Sequence, residues 1–210
     1  ITDADDDQAS ATTEIGDQIT FADDGPGLSS VGGTATVALD ETNAGEDFAS
    51  GPISATSTAA VITADALFGA DGAAAANATT YSIELTGDGT TSLTTAKGDF
   101  GITLVETSSN VITGTYNDGT NDLTAFTVTM NADGTVTVEQ LVALEHPDSP
   151  NNDNETVDLD GLITARITIT DADDDQASAT TEIGDQITFA DDGPGLSSVG
   201  GTATVALDET

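Results

Sequence analysis

Basic residues are almost absent: Lys97 and Arg166 stand against 38 acidic side chains in 210 residues, a formal charge of −36. A surface so anionic repels phosphate backbones and acidic headgroups alike, which excludes nucleic acid as a partner and argues against direct membrane insertion. Cations are its natural partners. Cysteine and tryptophan are missing altogether, so there is neither a disulfide framework nor a thiolate metal site, and stability has to come from elsewhere. The lone histidine, His146, lies in the loop-like stretch LEHPDSP and leaves zinc without a ligand set. No apolar run of membrane length, initiator Met or signal peptide appears in the sequence, which starts in mid-pattern at Ile1. The expectation is a piece of a longer chain.

Acidic chains poor in aromatics are often disordered. Here, however, apolar residues make up 37% of the chain and recur at alternate positions, as in Tyr81, Ile83, Leu85 and Phe126, Val128, Met130. That is the period of a half-buried strand. Order that depends on bound cations reconciles the charge with the pattern.

Residues 1–42 are identical to residues 169–210. Identity of that length implies recent duplication and a tandem array. The expected organisation is the C-terminal strands of a preceding repeat at 1–24, one complete β-sandwich repeat of period 168 at 25–192, and the first strand of a following repeat at 193–210. Removing the 10 acids of the duplicate from the 38 leaves 28 acidic and 2 basic residues, a charge of −26 per period. Neighbouring identical repeats in the same chain are the expected macromolecular partners.

Within the period nearly every segment reads as strand: TATVAL (34–39), AAVITA (59–64), TTYSIELT (79–86), FGITLVE (100–106), NVITGTY (110–116) and LTAFTVTM (123–130). Gly, Asn and Asp punctuate the gaps. A hairpin joins LTAFTVTM to TVTVEQLV (135–142) through Asn131 to Gly134. A short helix or turn is expected over Ala64 to Phe68. About ten short strands with frequent turns indicate an all-β, immunoglobulin-like antiparallel β-sandwich with extra strands or long loops, because the period exceeds the roughly 100 residues of an immunoglobulin domain. Its core is expected to be rich in Val and Ala.

The acids are clustered. ARITIT (165–170) and ASATTEI (177–183) flank Asp171, Asp173 and Asp175, a D-x-D-x-D spacing whose alternate carboxylates can converge on one hard cation at a hairpin tip. Asp3, Asp5 and Asp7 repeat it. Calcium, which takes six to eight oxygens in irregular geometry, suits such a site better than magnesium. Glu182 falls at position 12 from Asp171, but Gln176 occupies the place of the EF-hand glycine and the flanks are strands. An EF-hand is therefore excluded.

The second cluster is FADDGPG, with Asp23 and Asp24 and their duplicates Asp191 and Asp192; it reads either as a plain Gly-Pro linker or as a metal-bearing junction. A continuous strand from Ala177 to Phe189 would run roughly 43 Å. It would place Asp191 and Asp192 at the end opposite the tip, and Asp23 and Asp24 beside the tip, where they could share cations with it. Asp40 and Glu41 in LDET, with Glu46 and Asp47, form a third acidic site, and Asp158 with Asp160 a fourth.

LFGADG (67–72), TYSIELTGDG (80–89), ALEHP (143–147), GLITARITITDADDDQAS (161–178) and ITFADDGP (187–194) together resemble the repeat domain of giant RTX (repeats-in-toxin) adhesins exported by type I secretion. The resemblance covers the complete period. It implies a calcium-stabilised, immunoglobulin-like extender module on a bacterial surface. That pattern more usually reads D-G-D-G-D, and Ala172 and Asp174 stand here in place of the glycines. The expected function is a structural spacer, its repeats locked end to end by calcium. A glycan- or surface-binding module is the alternative and would need an exposed aromatic platform, whereas Tyr81, Tyr116 and the phenylalanines sit at strand positions that look like core. Catalysis ranks third, because no activated nucleophile is recognisable.

Overall fold

Between Ile163 and Thr170 buried and half-buried side chains alternate, with Ile163, Ala165, Ile167 and Ile169 facing inward. Branched aliphatics repeated at a period of two fit one face of a pleated strand and little else. The same logic builds most of the molecule. The computed structural model describes residues 1–147 and 155–193.

The strands are β1 (Gly27–Gly32), β2 (Val37–Asp40), β3 (Ile53–Thr56), β4 (Thr63–Leu67), β5 (Thr79–Leu85), β6 (Thr90–Thr94), β7 (Gly101–Ser108), β8 (Val111–Asn117), β9 (Asp122–Met130), β10 (Val136–Gln140), β11 (Thr156–Asp158), β12 (Ile163–Thr170), β13 (Gln176–Glu182) and β14 (Ile187–Ala190). One sheet has six strands in the order β3-β10-β9-β8-β7-β6. Two three-stranded sheets, β13-β12-β5 and β11-β14-β2, lie over it: β5 packs on β7, β8 and β9, and β2 packs on β3 and β10. A ribbon of β1 and β4 extends the second layer beside β13 and β12. Pairing is antiparallel except between β14 and β2. The fold is therefore an all-β, immunoglobulin-like sandwich. Among the described residues no helix is long and apolar enough to cross a membrane.

The hairpin between β9 and β10 closes as its sequence requires. Asn131 N–H donates to Thr135 O at 2.8 Å, and the Asp133 carboxylate accepts from Thr135 N–H at 3.1 Å and from its hydroxyl at 2.6 Å. Between the two layers a single core forms around Phe126 and Phe189, whose rings lie 5.0 Å apart. It is richer in Ile than expected: nine isoleucines and three alanines are buried among the described residues, because the branched side chains, not the alanines, fall on the inward register.

Several expectations need correction. Ala64 to Phe68 holds no helix; β4 occupies it and pairs with β1, since five residues cannot recover the cost of a helical nucleus while a partner strand is at hand. AAVITA therefore starts its strand late, at Thr63, although Val61 and Ile62 are buried in the bend before it. The strand expected from Ala177 to Phe189 is broken by a 3₁₀ turn at Gly184–Gln186, and β13 and β14 belong to different sheets. Gly184 makes the crossing possible: a Cβ there would stand 1.8 Å from the Leu159 carbonyl oxygen. The length estimated from one unbroken strand was too great. Residues 1–22 form no strand, so QITFA (18–22) is paired into a sheet only in its second copy, as β14; Ile1, Ile15, Ile19 and Phe21 are exposed because no sheet offers them a partner. The strand expected at 193–210 lies, from 194 onward, outside the described residues.

Candidate metal centre

At the tip, β12 hands over to β13 through Asp171–Asp175. Asp171 N–H donates to Asp175 O at 3.1 Å and Asp175 N–H to Asp171 Oδ1 at 2.8 Å. Asp174 takes the left-handed backbone, φ 75°, at one of the positions where the resembled pattern has glycine. The loop after β4 covers this turn: Ala172 N–H donates to Gly72 O at 3.0 Å and Ala74 N–H to Thr170 O at 3.1 Å. As a result Asp171 is fully buried, and its Oδ2 has no hydrogen-bond partner.

The same loop captures the segment entering the domain. Ala70 N–H donates to both carboxylate oxygens of Asp24 at 3.1 Å, and Gly69 lets the Asp24 backbone approach so closely that a Cβ would meet its carbonyl oxygen at 2.5 Å. Asp23 is thereby set against the tip. Ligand oxygens of Asp23, Asp173 and Asp175 lie within 4.8 Å of one another, and an overlapping group joins Asp23, Asp24 and Asp71.

Like charges at this spacing resist ionisation. Asp173 is pushed up to about 6, first by the hydrogen bond it shares with Asp171, then by desolvation and by the charges of Asp171, Asp23 and Asp71. Asp175 is raised in the same direction, mainly through a shared hydrogen bond with Asp23 and that group's charge. The convergent carboxylates of Asp23, Asp173 and Asp175 form an all-oxygen set matched to a hard cation with high coordination number. Asp71 was not singled out by sequence reasoning. Its only signal was the Asp-Gly pair in LFGADG, because carboxylates contributed from positions 23, 71 and 173 show no spacing rule.

The other candidate residues are placed differently. Asp3, Asp5 and Asp7 gather within 4.8 Å of one another but stand fully in solvent. Asp3 Oδ1 accepts from Asp5 N–H at 3.2 Å and Asp7 N–H at 3.0 Å, and its hydrogen bonding to Asp5 and the local backbone lowers its pKa. Asp40 and Glu41 do not converge: Asp40 faces outward and caps the following turn through Thr42 N–H at 3.0 Å, while Glu41 is buried. Asp47 pairs with Lys97 at 2.8 Å, and Asp158 caps its own turn through Asp160 N–H.

Glu41 instead joins His146 and Asp191 in a separate group whose ligand atoms lie within 4.8 Å. Its carboxylate accepts from Gln140 Nε2 and from Leu144 N–H, and burial raises its pKa, with the Asp192 charge adding to the shift and the two hydrogen bonds and His146 opposing it. His146 lies on a loop, as expected, but is buried, with Nδ1 3.0 Å from Leu144 O and Nε2 3.1 Å from Phe189 O. Sequence spacing could not reveal its burial, since apart from Leu144 its partners come from β14, the residue after it and the turn after β2. Asp192 is exposed.

Neither the curated proteins nor the solved structures contain a match to this chain. A family model described as "Domain of unknown function (DUF5801)" matches residues 36–184, a span that includes Asp71 and the whole Asp171–Asp175 tip. The match runs from the start of β2 to the turn after β13, and the chain belongs to that family.

Proposed function

We propose that this domain is a calcium-stabilised structural extender, one repeat of a tandem array that projects a distal binding domain from a bacterial surface, as in the RTX adhesins its sequence resembles. The observation that carries the reading is the meeting of Asp23, from the entering segment, with Asp173 and Asp175 of the tip beside the orphaned Asp171 Oδ2. Those four, with Asp24 and Asp71 alongside, are the oxygens that would hold the ion. When bound, calcium supplies the positive charge that offsets their repulsion and ties the entering segment to the body of the domain. At −26 per repeat, a calcium-poor interior favours the loose chain that export requires, and a calcium-rich exterior favours the folded one. The role is mechanical, and no catalytic one is proposed. Calorimetric titration with an ion count tests it: at least one calcium per tip should bind, with affinity in the extracellular-module range of roughly 10⁻⁴–10⁻³ M or tighter, and no binding at millimolar calcium refutes it.

One observation favours the glycan-binding reading. Phe100 and Tyr116 stack with centroids 6.0 Å apart and, with Phe48, line a cavity of about 350 Å³ rimmed by the Lys97–Asp47 ion pair. These rings are half-exposed, although Tyr116 also packs against the core as its strand position suggested. Chemical-shift changes at Tyr116 and Phe100 on addition of simple sugars would support that reading, and their absence at 50-fold excess would remove it.

A further inference from the structure

Residues 1–42 recur as 169–210, so Asp23 and Asp191 are one position of the period, as are Asp24 and Asp192. The structure shows that position twice, each time from a different side. At 191 it is seen with its own repeat: Oδ1 lies 3.5 Å from His146 Nδ1, the backbone N–H donates to Glu155 O at 2.9 Å, and Glu41 stands in the same group. At 23 it is seen with the repeat that follows, against Asp173 and Asp175 of the tip.

We propose that this aspartate is a two-sided joint residue: in consecutive repeats its carboxylate is gripped by His146 beside Glu41 of its own repeat and at the same time completes the Asp171–Asp175 tip of the next. The partner that fits this end of the domain is therefore a second copy of the repeat. The two contacts are compatible. A carboxylate has two oxygens and about four acceptor sites, and the Asp191 side chain keeps 30% of its surface open while His146 keeps 3%. His146 is a fixed anchor: it is buried, with Nδ1 3.0 Å from Leu144 O and Nε2 3.1 Å from Phe189 O. Asp192, exposed beside Asp191, is placed to take the Ala70 N–H of the next repeat as Asp24 does here.

The inference rests on calcium binding at the tip, as proposed above, and adds that His146 is a positioning residue for the site of the following repeat. Outer partners that orient metal ligands typically change affinity by about 10- to 100-fold. In a test protein that begins at Ile1, no His146 stands upstream of Asp23, so its first tip lacks the anchor.

The test extends the chain past Thr210 with a second copy of residues 43–192, which completes a second repeat, and measures calcium affinity at each tip, the other being silenced by Asp173→Ala and Asp175→Ala. The second tip should bind about tenfold more tightly than the first, and His146→Ala in the first repeat should abolish that advantage. The same substitution in the second repeat, whose His146 has no tip downstream, should leave both affinities unchanged and so controls for damage to the fold. Equal affinities at the two tips, or equal losses from either placement, overturn the joint while leaving calcium binding intact. No calcium at either tip overturns the extender reading and the joint with it.

Discussion

Carboxylate oxygens of Asp175 and Asp23 meet within 4.8 Å of one another, tying the segment that enters the domain to a hairpin tip at the far end of the sequence. Two carboxyls can do this only while one keeps its proton or a cation replaces it, so protons and calcium compete for the same oxygens. A raised carboxyl holds its proton more tightly folded than unfolded. Its contribution to calcium-free stability is thus full below the ordinary Asp range and is lost as pH rises through about 6 for Asp173. The raised Asp175 and Glu41 act in the same direction. The calcium-free melting temperature should fall between about pH 4 and pH 6, and the rise on adding calcium should be small at pH 5 and large at pH 7.5. Thermal melts by circular dichroism check this; a calcium effect independent of pH contradicts it. The turn aspartates Asp88, Asp118 and Asp133, lowered by hydrogen bonds from their own turns, lose their contribution only at lower pH and do not mask the trend.

Asp173→Ala and Asp175→Ala should each weaken the calcium-bound form while leaving the calcium-free form unchanged or slightly more stable, since each also removes a repelling charge. Asp171→Ala behaves differently. Its Oδ1 accepts the Asp175 N–H inside the protein, and leaving that donor unpaired costs about 1–3 kcal/mol with or without calcium. Denaturant melts in EDTA and in millimolar calcium separate the two patterns.

Asp174 and Asp6 hold left-handed backbone at φ 75° and φ 67°. Asp174→Gly relieves that strain and one charge together, and should stabilise the calcium-free protein by about 0.5–1 kcal/mol. A destabilisation on urea titration would mean that the Asp174 side chain makes a contact the fold needs.

Duplicated residues give internally controlled tests. Gly184→Ala drives a methyl into the Leu159 carbonyl and should cost at least about 1–3 kcal/mol, whereas Gly16→Ala, whose nearest neighbour is the flexible Glu14 carboxylate at 3.1 Å, should be nearly neutral. Phe189→Ala should cost about 3–5 kcal/mol and Phe21→Ala almost nothing, since Phe189 is fully buried and Phe21 is 95% exposed. Amide exchange should likewise be fast in 1–22 and slow in 169–190. Equal protection of the two segments in a monomer would refute this assignment.

Much of the sandwich was legible in the sequence because its signals are local. Alternation at Ile163 to Ile169 marks a strand wherever one face is buried, and Asn131 to Gly134 close a hairpin with their own side chains. The duplicate shows how far such signals reach. Both copies of ITDADDDQ make the same turn, with Asp3 N–H to Asp7 O at 3.0 Å and Asp171 N–H to Asp175 O at 3.1 Å, and both copies of GDQ make the same 3₁₀ turn. Turn geometry is thus set by the residues themselves. Only the second copy has β12 to pair with its first strand and β2 and β11 for its second, so only there do the same residues become sheet. Tertiary structure alone decided that Asp171 is buried while its twin Asp3 faces water, that Asp71 and Asp23 reach the tip, and that Glu41, His146 and Asp191 meet. Each of these depends on long-range strand pairing, which brings together positions that no spacing along the chain relates.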